Sequence, residues 1–315
     1  MSSINELSVT LPDLTDDLNE LDKQIREREY AHEDLKPDNE ARIVWFNDDK
    51  EVTEYSLVYI HGFTASQGEG YPTHVEFGKR YGCNVYLCRL FGHGLGDDAL
   101  DDITPQRFID SAVHALAVGK KIGKKVILMG TSTGASLAIF LASRFKKING
   151  VITYSPLIDF YDRRVKLLGN SGVNFTLTKL LNIKYVYAHI NTSDKEKQYW
   201  YNHYRIEGLK ALKQLILLTM NFDTYRNITQ PFFLGYYYLD QRNQDRRVSV
   251  PAMLKMYKDL GTNDELKRKI NFQQSKAHVI ASSITSKDYY NVMDETFNFA
   301  EDFLKLQPVM TTVNL

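Results

Sequence analysis

The chain is short of cysteine, of tryptophan and of any surplus charge, and these shortages narrow the field. Thirty-nine basic residues meet 39 acidic ones, so no global field draws nucleic acid or an anionic membrane toward it. No apolar run reaches the roughly 18 to 20 residues that span a bilayer. The opening residues, Met1-Ser-Ser-Ile-Asn-Glu6, carry neither the basic nor the apolar region of a secretory signal. The two cysteines, Cys83 and Cys88, lie five apart in what reads as one strand. An odd separation sends their side chains to opposite sheet faces, so two reduced, buried thiols are expected and not a disulfide. Together these features set the expectation of a cytoplasmic protein with no membrane span and no nucleic-acid partner.

What is present is ordinary in bulk and informative in pattern. Hydrophobic residues make up 43% and charged residues 25% of the 315, as in soluble globular enzymes. Leu11, Leu14, Leu18, Leu21 and Ile25 repeat at 3-4-3-4 spacing, which predicts an amphipathic helix. Packing on its own domain is the simpler use of that helix, and a homodimer contact is the alternative. From Arg42 strands alternate with helices. The predicted strands are Arg42–Phe46, Tyr55–Ile60, Cys83–Leu90, Val126–Met129, Gly150–Tyr154, Pro231–Tyr238 and Lys269–Gln273. A helix opens at Thr104-Pro105, an N-cap followed by proline at the first position, and another is expected over Ser136–Lys146. Such alternation implies an α/β fold with a mostly parallel central sheet covered by helices on both faces. Between Pro156 and Gln230 no core strand is legible, only helical patches rich in Leu and Tyr. The chain thus divides into an N-terminal helix and lead-in (1–41), an α/β core in two pieces (42–156 and 230–315) and a helical cap insertion (157–229).

Gly130-Thr-Ser132-Thr-Gly134 follows a strand and precedes a helix. At ~7% usage per residue, about 0.1 such G-x-S-x-G matches arise by chance in this length, so the context has to decide. A nucleophilic serine sits on a sharp strand-to-helix turn, where side chains at the glycine positions would strike neighbouring backbone. The turn lifts Oγ at the carboxyl edge of the sheet, and the helix aims its N–H groups at developing negative charge. Ser132 is therefore the candidate nucleophile. Two backbone donors must hold the oxyanion. Thr133, the residue after the nucleophile, supplies one. Phe63, in the loop His61-Gly-Phe-Thr64 after an earlier strand, supplies the second. His61 and His93 read as structural histidines. His32, His74, His114, His189 and His203 show no ligand-like spacing, so no metal and no cofactor are expected.

His278 follows the last predicted strand and comes last in the order Ser, acid, His, which makes it the candidate base. The acid is open between two carboxylates of Asp240-Gln-Arg-Asn-Gln-Asp245, with Asp159 a third choice. Asp240 lies close enough to the strand end simply to terminate it, and Asp245 lies in the turn beyond, where a triad acid belongs.

HGF at 61–63, RLFGHG at 89–94, GTSTG at 130–134, DRRVS at 245–249 and AHVI at 277–280 together resemble the α/β-hydrolase superfamily. Within it the sequence is most similar to carboxylesterases and monoacylglycerol lipases with a short helical cap. The resemblance covers about Arg42 to Leu306. It implies Ser132, Asp245 and His278 as the triad, with Asp245 on the D-x-x-V-P/S signature, and Phe63 and Thr133 as oxyanion donors. Three departures stand out: a long acid loop, threonines flanking the nucleophile, and a cap without a recognisable pattern. The function implied is hydrolysis of a small-molecule carboxylic ester. Thioester, peptide or carbon–carbon bond cleavage on the same scaffold, or ligand binding without catalysis, are the rivals. Phe160, Leu167, Leu168, Phe175, Leu177, Tyr185, Tyr187, Tyr199, Trp200 and Leu212 to Leu218 make the insertion apolar. With no basic cluster read near the motifs, neutral esters with an apolar acyl or alcohol group are the expected substrates.

Overall fold

The computed structural model describes residues 7–96, 98–162, 165, 184–187 and 193–309. Its central sheet is built from β1 (Arg42–Val44), β2 (Thr53–Ile60), β3 (Asn84–Leu87), β4 (Gly123–Thr131), β5 (Ile148–Tyr154), β8 (Phe232–Tyr236) and β9 (Lys267–Asn271). The spatial order is β1-β3-β2-β4-β5-β8-β9. All neighbours run parallel except β1, which lies antiparallel on β3. The seven strands are those expected from the sequence, with ends shifted by a few residues. Buried runs such as Ser56-Leu-Val-Tyr-Ile60 explain why: central parallel strands are covered on both faces and so read as continuous apolar stretches. Alternate side chains feed two separate cores. Val58 and Ile60 enter one, with α3 (Pro105–Ile122) and α4 (Thr133–Arg144). Leu57 and Tyr59 enter the other, with α2 (Thr73–Tyr81) and the C-terminal helix α9 (Tyr289–Asp302).

The N-terminal helix is shorter than its heptads suggest. α1 spans Leu18–Tyr30, so Leu11 and Leu14 precede it. Asp17 sets the start, because its carboxylate accepts from the Asn19 and Glu20 N–H groups, and capped chain does not continue as helix backwards. Leu21 and Ile25 then pack on the body's own core. The helix after Thr104 begins as predicted, with the threonine side chain accepting from Arg107 N–H. The second begins three residues before its predicted start, at Thr133. Cys83 and Cys88 are buried free thiols.

Between β5 and β8 a two-stranded antiparallel pair, β6 (Tyr185–Tyr187) and β7 (His203–Arg205), stands apart from the main sheet. α5 (Asp194–Tyr199) lies between its strands in sequence. α6 (Ile206–Thr219) and α7 (Phe222–Arg226) then lead the chain to β8, packing against α3, α4 and α8 (Val250–Asp259). No helix among the described residues is long and apolar enough to cross a membrane.

Candidate active site

β4 ends at Thr131 and α4 begins at Thr133, so a single residue turns the chain from strand to helix. That residue is Ser132, at φ 53° and ψ −116°, a conformation side-chain-bearing residues rarely adopt. The turn exists because no side chain projects at Gly130 and Gly134. A Cβ on Gly134 would lie 1.9 Å from the Ile60 carbonyl oxygen, and one on Gly130 would lie 2.6 Å from the Gly134 carbonyl carbon. Main-chain bonds hold the elbow: Ser132 N–H donates to Tyr154 O at 2.9 Å, and Leu157 N–H donates to Ser132 O at 3.1 Å. Thr131 Oγ1 meets the Tyr59 hydroxyl at 3.0 Å beneath the turn. This gives one of the two unusual threonines of the motif a partner.

Asp245 and His278 come together, and Asp240 stays apart. His278 Nδ1 lies 2.6 Å from Asp245 Oδ2, and the aspartate side chain is fully buried. The other oxygen, Oδ1, accepts Arg247 N–H at 2.8 Å and Val248 N–H at 3.3 Å. The carboxylate is thus fixed on both sides, with Nδ1–H the donor that this geometry selects. Asp240 is exposed and closes its own turn, accepting from Arg242 N–H, Asn243 N–H and the Asn243 amide at 2.7, 2.8 and 2.9 Å. Those bonds, led by the Asn243 side chain, hold its carboxyl below the ordinary range. The long acid loop is therefore a self-capped turn that delivers Asp245. Asp159 spends a carboxylate oxygen on Phe160 N–H and its main-chain oxygen on Ser249 N–H.

Ser132, Thr133, Phe63 and His278 line one cavity of about 700 Å³. Thr133 is the first residue of α4, so its N–H has no carbonyl one turn back in the helix. The Phe63 ring is wedged against His93, Phe108 and Tyr204, with centroids 5.0 to 6.2 Å away. His61 braces the same loop. Its Nδ1–H donates to Gly62 O at 2.8 Å and its Nε2 accepts Leu90 N–H at 3.0 Å. Burial, aided by neighbouring His93, holds it well below the ordinary histidine range and so neutral. His93 is pulled down to about 4, chiefly by burial.

The rest of the lining departs from the expectation in two ways. Of the aromatic and leucine residues expected over the site, Phe160, Trp200 and Leu212 line the cavity. Tyr187 and Leu217 face solvent, and Leu167, Leu168, Phe175 and Leu177 lie outside the described residues. Second, basic side chains do stand beside the motifs. Arg246, Arg247 and Lys276 share the wall with Glu69, Asp162 and Glu196. The signal was present in the sequence, since the arginines flank Asp245 and Lys276 lies two residues before His278. Glu69 had no such signal. Among the described residues no group of three or more His, Cys, Asp or Glu is arranged to hold a metal.

Residues 57–262 match the alpha/beta hydrolase family, and the chain belongs to that family. Over 107 residues it is 28% identical to the alpha/beta hydrolase domain-containing protein 17C of Xenopus laevis, covering 34% of either protein. The Homo sapiens counterpart is also 28% identical over 107 residues, 34% of this chain and 32% of that protein. The chain spans about a third of the length of the curated relatives it matches. Among solved structures, one of the metagenome-derived lipolytic enzymes LipS and LipT superposes with a TM-score of 0.68 at 16% identity, over 84% of this chain and 98% of that one. A soluble variant of monoglyceride lipase from Saccharomyces cerevisiae, solved with a substrate analogue, gives 0.59 at 14% identity over 83% and 91%. Est1E from Butyrivibrio proteoclasticus with ferulic acid gives 0.58 at 13% over 84% and 95%. At such identities the likeness is one of fold.

Proposed function

We propose that this protein is a serine hydrolase that cleaves neutral carboxylic esters through Ser132, His278 and Asp245. The observation that carries the reading is the strained Ser132 elbow opening into the same cavity as a histidine whose Nδ1 is pinned by a buried aspartate. With Nδ1 occupied as donor, Nε2 is left as the base. It takes the Ser132 proton as Oγ attacks the ester carbonyl, and the Phe63 and Thr133 N–H groups receive the oxyanion. Collapse of the tetrahedral intermediate breaks the carbon–oxygen bond, and the imidazolium gives its proton to the leaving alcohol. Water, deprotonated by the same nitrogen, then releases the acid and restores the serine.

The cavity favours an uncharged molecule with an apolar part. Phe63, Leu157, Phe160, Val186, Leu209 and Leu212 supply apolar wall, and the charged side chains along it are of both signs. In this reading the 157–229 segment is the cap, and among its described residues Leu157, Phe160, Trp200, Tyr204 and Leu212 share the cavity wall with Ser132. Reaction with a fluorophosphonate followed by peptide mapping tests the assignment. Wild type should be modified at Ser132, and Ser132→Ala should lose about 10⁴- to 10⁶-fold in kcat with its fold intact. Turnover retained in a clean alanine variant would sink it.

A further inference from the structure

The turn that follows the oxyanion loop carries a carboxyl group the triad does not use. Glu69, in a 3-10 turn over Gln67–Gly70, is buried yet lines the cavity beside Ser132 and His278. Its Oε2 accepts Gly62 N–H at 2.6 Å and the Tyr59 hydroxyl at 3.4 Å. Trp200, from the 157–229 segment, lines the cavity with it, and its side chain acts on the same carboxyl. A methyl group on Gly62 would lie 2.9 Å from Glu69 Oε1 and 3.2 Å from Ser132 Cβ. Gly62 is therefore held in a slot between the nucleophile and this carboxyl, and the next residue is Phe63.

Burying a carboxyl group is costly, and a glutamate used only as an anchor would be expected to face a lysine or arginine. The ionisable group facing Glu69 is instead His278. We propose that Glu69 is a positioning residue of the oxyanion hole: its carboxyl clamps Gly62 N–H, aims the adjoining Phe63 N–H, and ties that loop to Trp200. The assignment rests on Ser132 being the nucleophile.

Its chemistry makes the role visible in solution. Burial raises the carboxyl to about 7, against the opposing pull of Gly62 N–H, His278, the Tyr59 hydroxyl and the Trp200 side chain. The groups facing it are Tyr59 from β2, pushed well up by burial, His278 from the loop after β9, and the Trp200 side chain. Behind Tyr59, His74 of α2 packs edge-on at 4.7 Å and is held near 4 by burial. Glu69 thus changes charge in the neutral range. Once ionised, it sets a negative charge beside the site where the oxyanion must form, which opposes reaction.

The test is ester hydrolysis from pH 5 to 9 by wild type, Glu69→Gln and Glu69→Leu, with a melting curve for each. Glutamine can still accept from Gly62 and cannot ionise. At pH 6 it should keep kcat within about threefold of wild type, and it should lack the alkaline fall that wild type shows above about 7. Leucine removes the clamp and should lower kcat about ten- to a hundredfold with KM little changed, part of the ~10²–10³ that a lost oxyanion donor costs. An alkaline limb that persists unchanged in Glu69→Gln overturns the proposal, even if Glu69→Leu fails to fold. So does a folded Glu69→Leu with wild-type kcat. Wild type that does not react with a fluorophosphonate would remove the hydrolase reading and this proposal with it, whereas reactive wild type with indifferent Glu69 variants removes the proposal alone.

Discussion

Replacing Asp245 by asparagine turns one carboxylate oxygen into an amide NH₂, and the structure says which oxygen that must be. Oδ1 receives the N–H groups of Arg247 and Val248, so an asparagine must place its carbonyl oxygen there. Its NH₂ then takes the position of Oδ2, 2.6 Å from His278 Nδ1. A donor now faces a donor. The imidazole escapes only by moving its proton to Nε2, which leaves that nitrogen unable to accept the serine proton. Flipping the amide would instead oppose NH₂ to two backbone N–H groups, so no second arrangement rescues the tautomer. The expected loss in kcat is about 10³- to 10⁴-fold, or about 4 to 5.5 kcal/mol in barrier. Asp240→Asn is the control, because it alters only a solvent-exposed turn, and it should cost under about tenfold. The assay is steady-state hydrolysis of p-nitrophenyl butyrate by wild type and both variants, with melting curves to show that each is folded. A folded Asp245→Asn within tenfold of wild type, or an Asp240→Asn with the larger penalty, would refute the reasoning.

Two further outcomes follow from the cavity and its buried carboxyl. Across p-nitrophenyl acetate, butyrate, octanoate and palmitate, each added methylene should gain up to ~0.8 kcal/mol, about fourfold in kcat/KM, until the pocket is full at short to medium length. A flat series would mean that the cavity does not take the acyl chain, and faster cleavage of a thioester or peptide run alongside would reassign the substrate. Stability should also depend on Glu69. Its carboxyl is raised from 4.5 to about 7 on folding, so the folded chain holds the proton more tightly. That contribution is complete below about 4.5 and is lost as pH rises through about 7, a difference worth roughly 3 kcal/mol. Urea unfolding between pH 5 and 8 should therefore show wild type losing stability relative to Glu69→Gln, and a constant gap would contradict it.

Much of this was legible in the residues, for reasons that vary with position. The seven strands could be read because parallel strands covered on both faces leave continuous apolar runs, as in β2 and β4. Ser132 could be read because glycine is required where Ile60 O lies 1.9 Å from a would-be Cβ, so the motif reports a steric fact. The start of α1 was misjudged because the 3-4 repeat continues through Leu11 and Leu14, and only the Asp17 cap breaks it. Spacing alone left Asp240 and Asp245 open, because both follow one strand; the signature at 245–249 favoured Asp245, and hydrogen bonding separates the turn-closing Asp240 from the carboxylate facing His278. Glu69 was out of reach. It sits in a polar, glycine-containing loop, and the groups that bury it come from positions 59, 62, 200 and 278, which no local pattern connects.

The chain that leaves β5 is sewn to the turn of Ser132 and to the loop of Asp245 before it goes anywhere else. Leu157 gives its N–H to Ser132 O and receives the Ser136 hydroxyl on its own carbonyl at 2.7 Å. Asp159 O then receives Ser249 N–H, Phe160 bridges Val248, and Tyr161 N–H reaches Arg247 O. Three main-chain hydrogen bonds thus join the turn of Ser132 to the loop of Asp245 through a single short stem. The relative placement of Ser132 and Asp245 is consequently set by the main chain. On the proposed reading a substrate does not have to bring serine and aspartate together, and its ordering cost falls on its own rotations and on its fit to the walls.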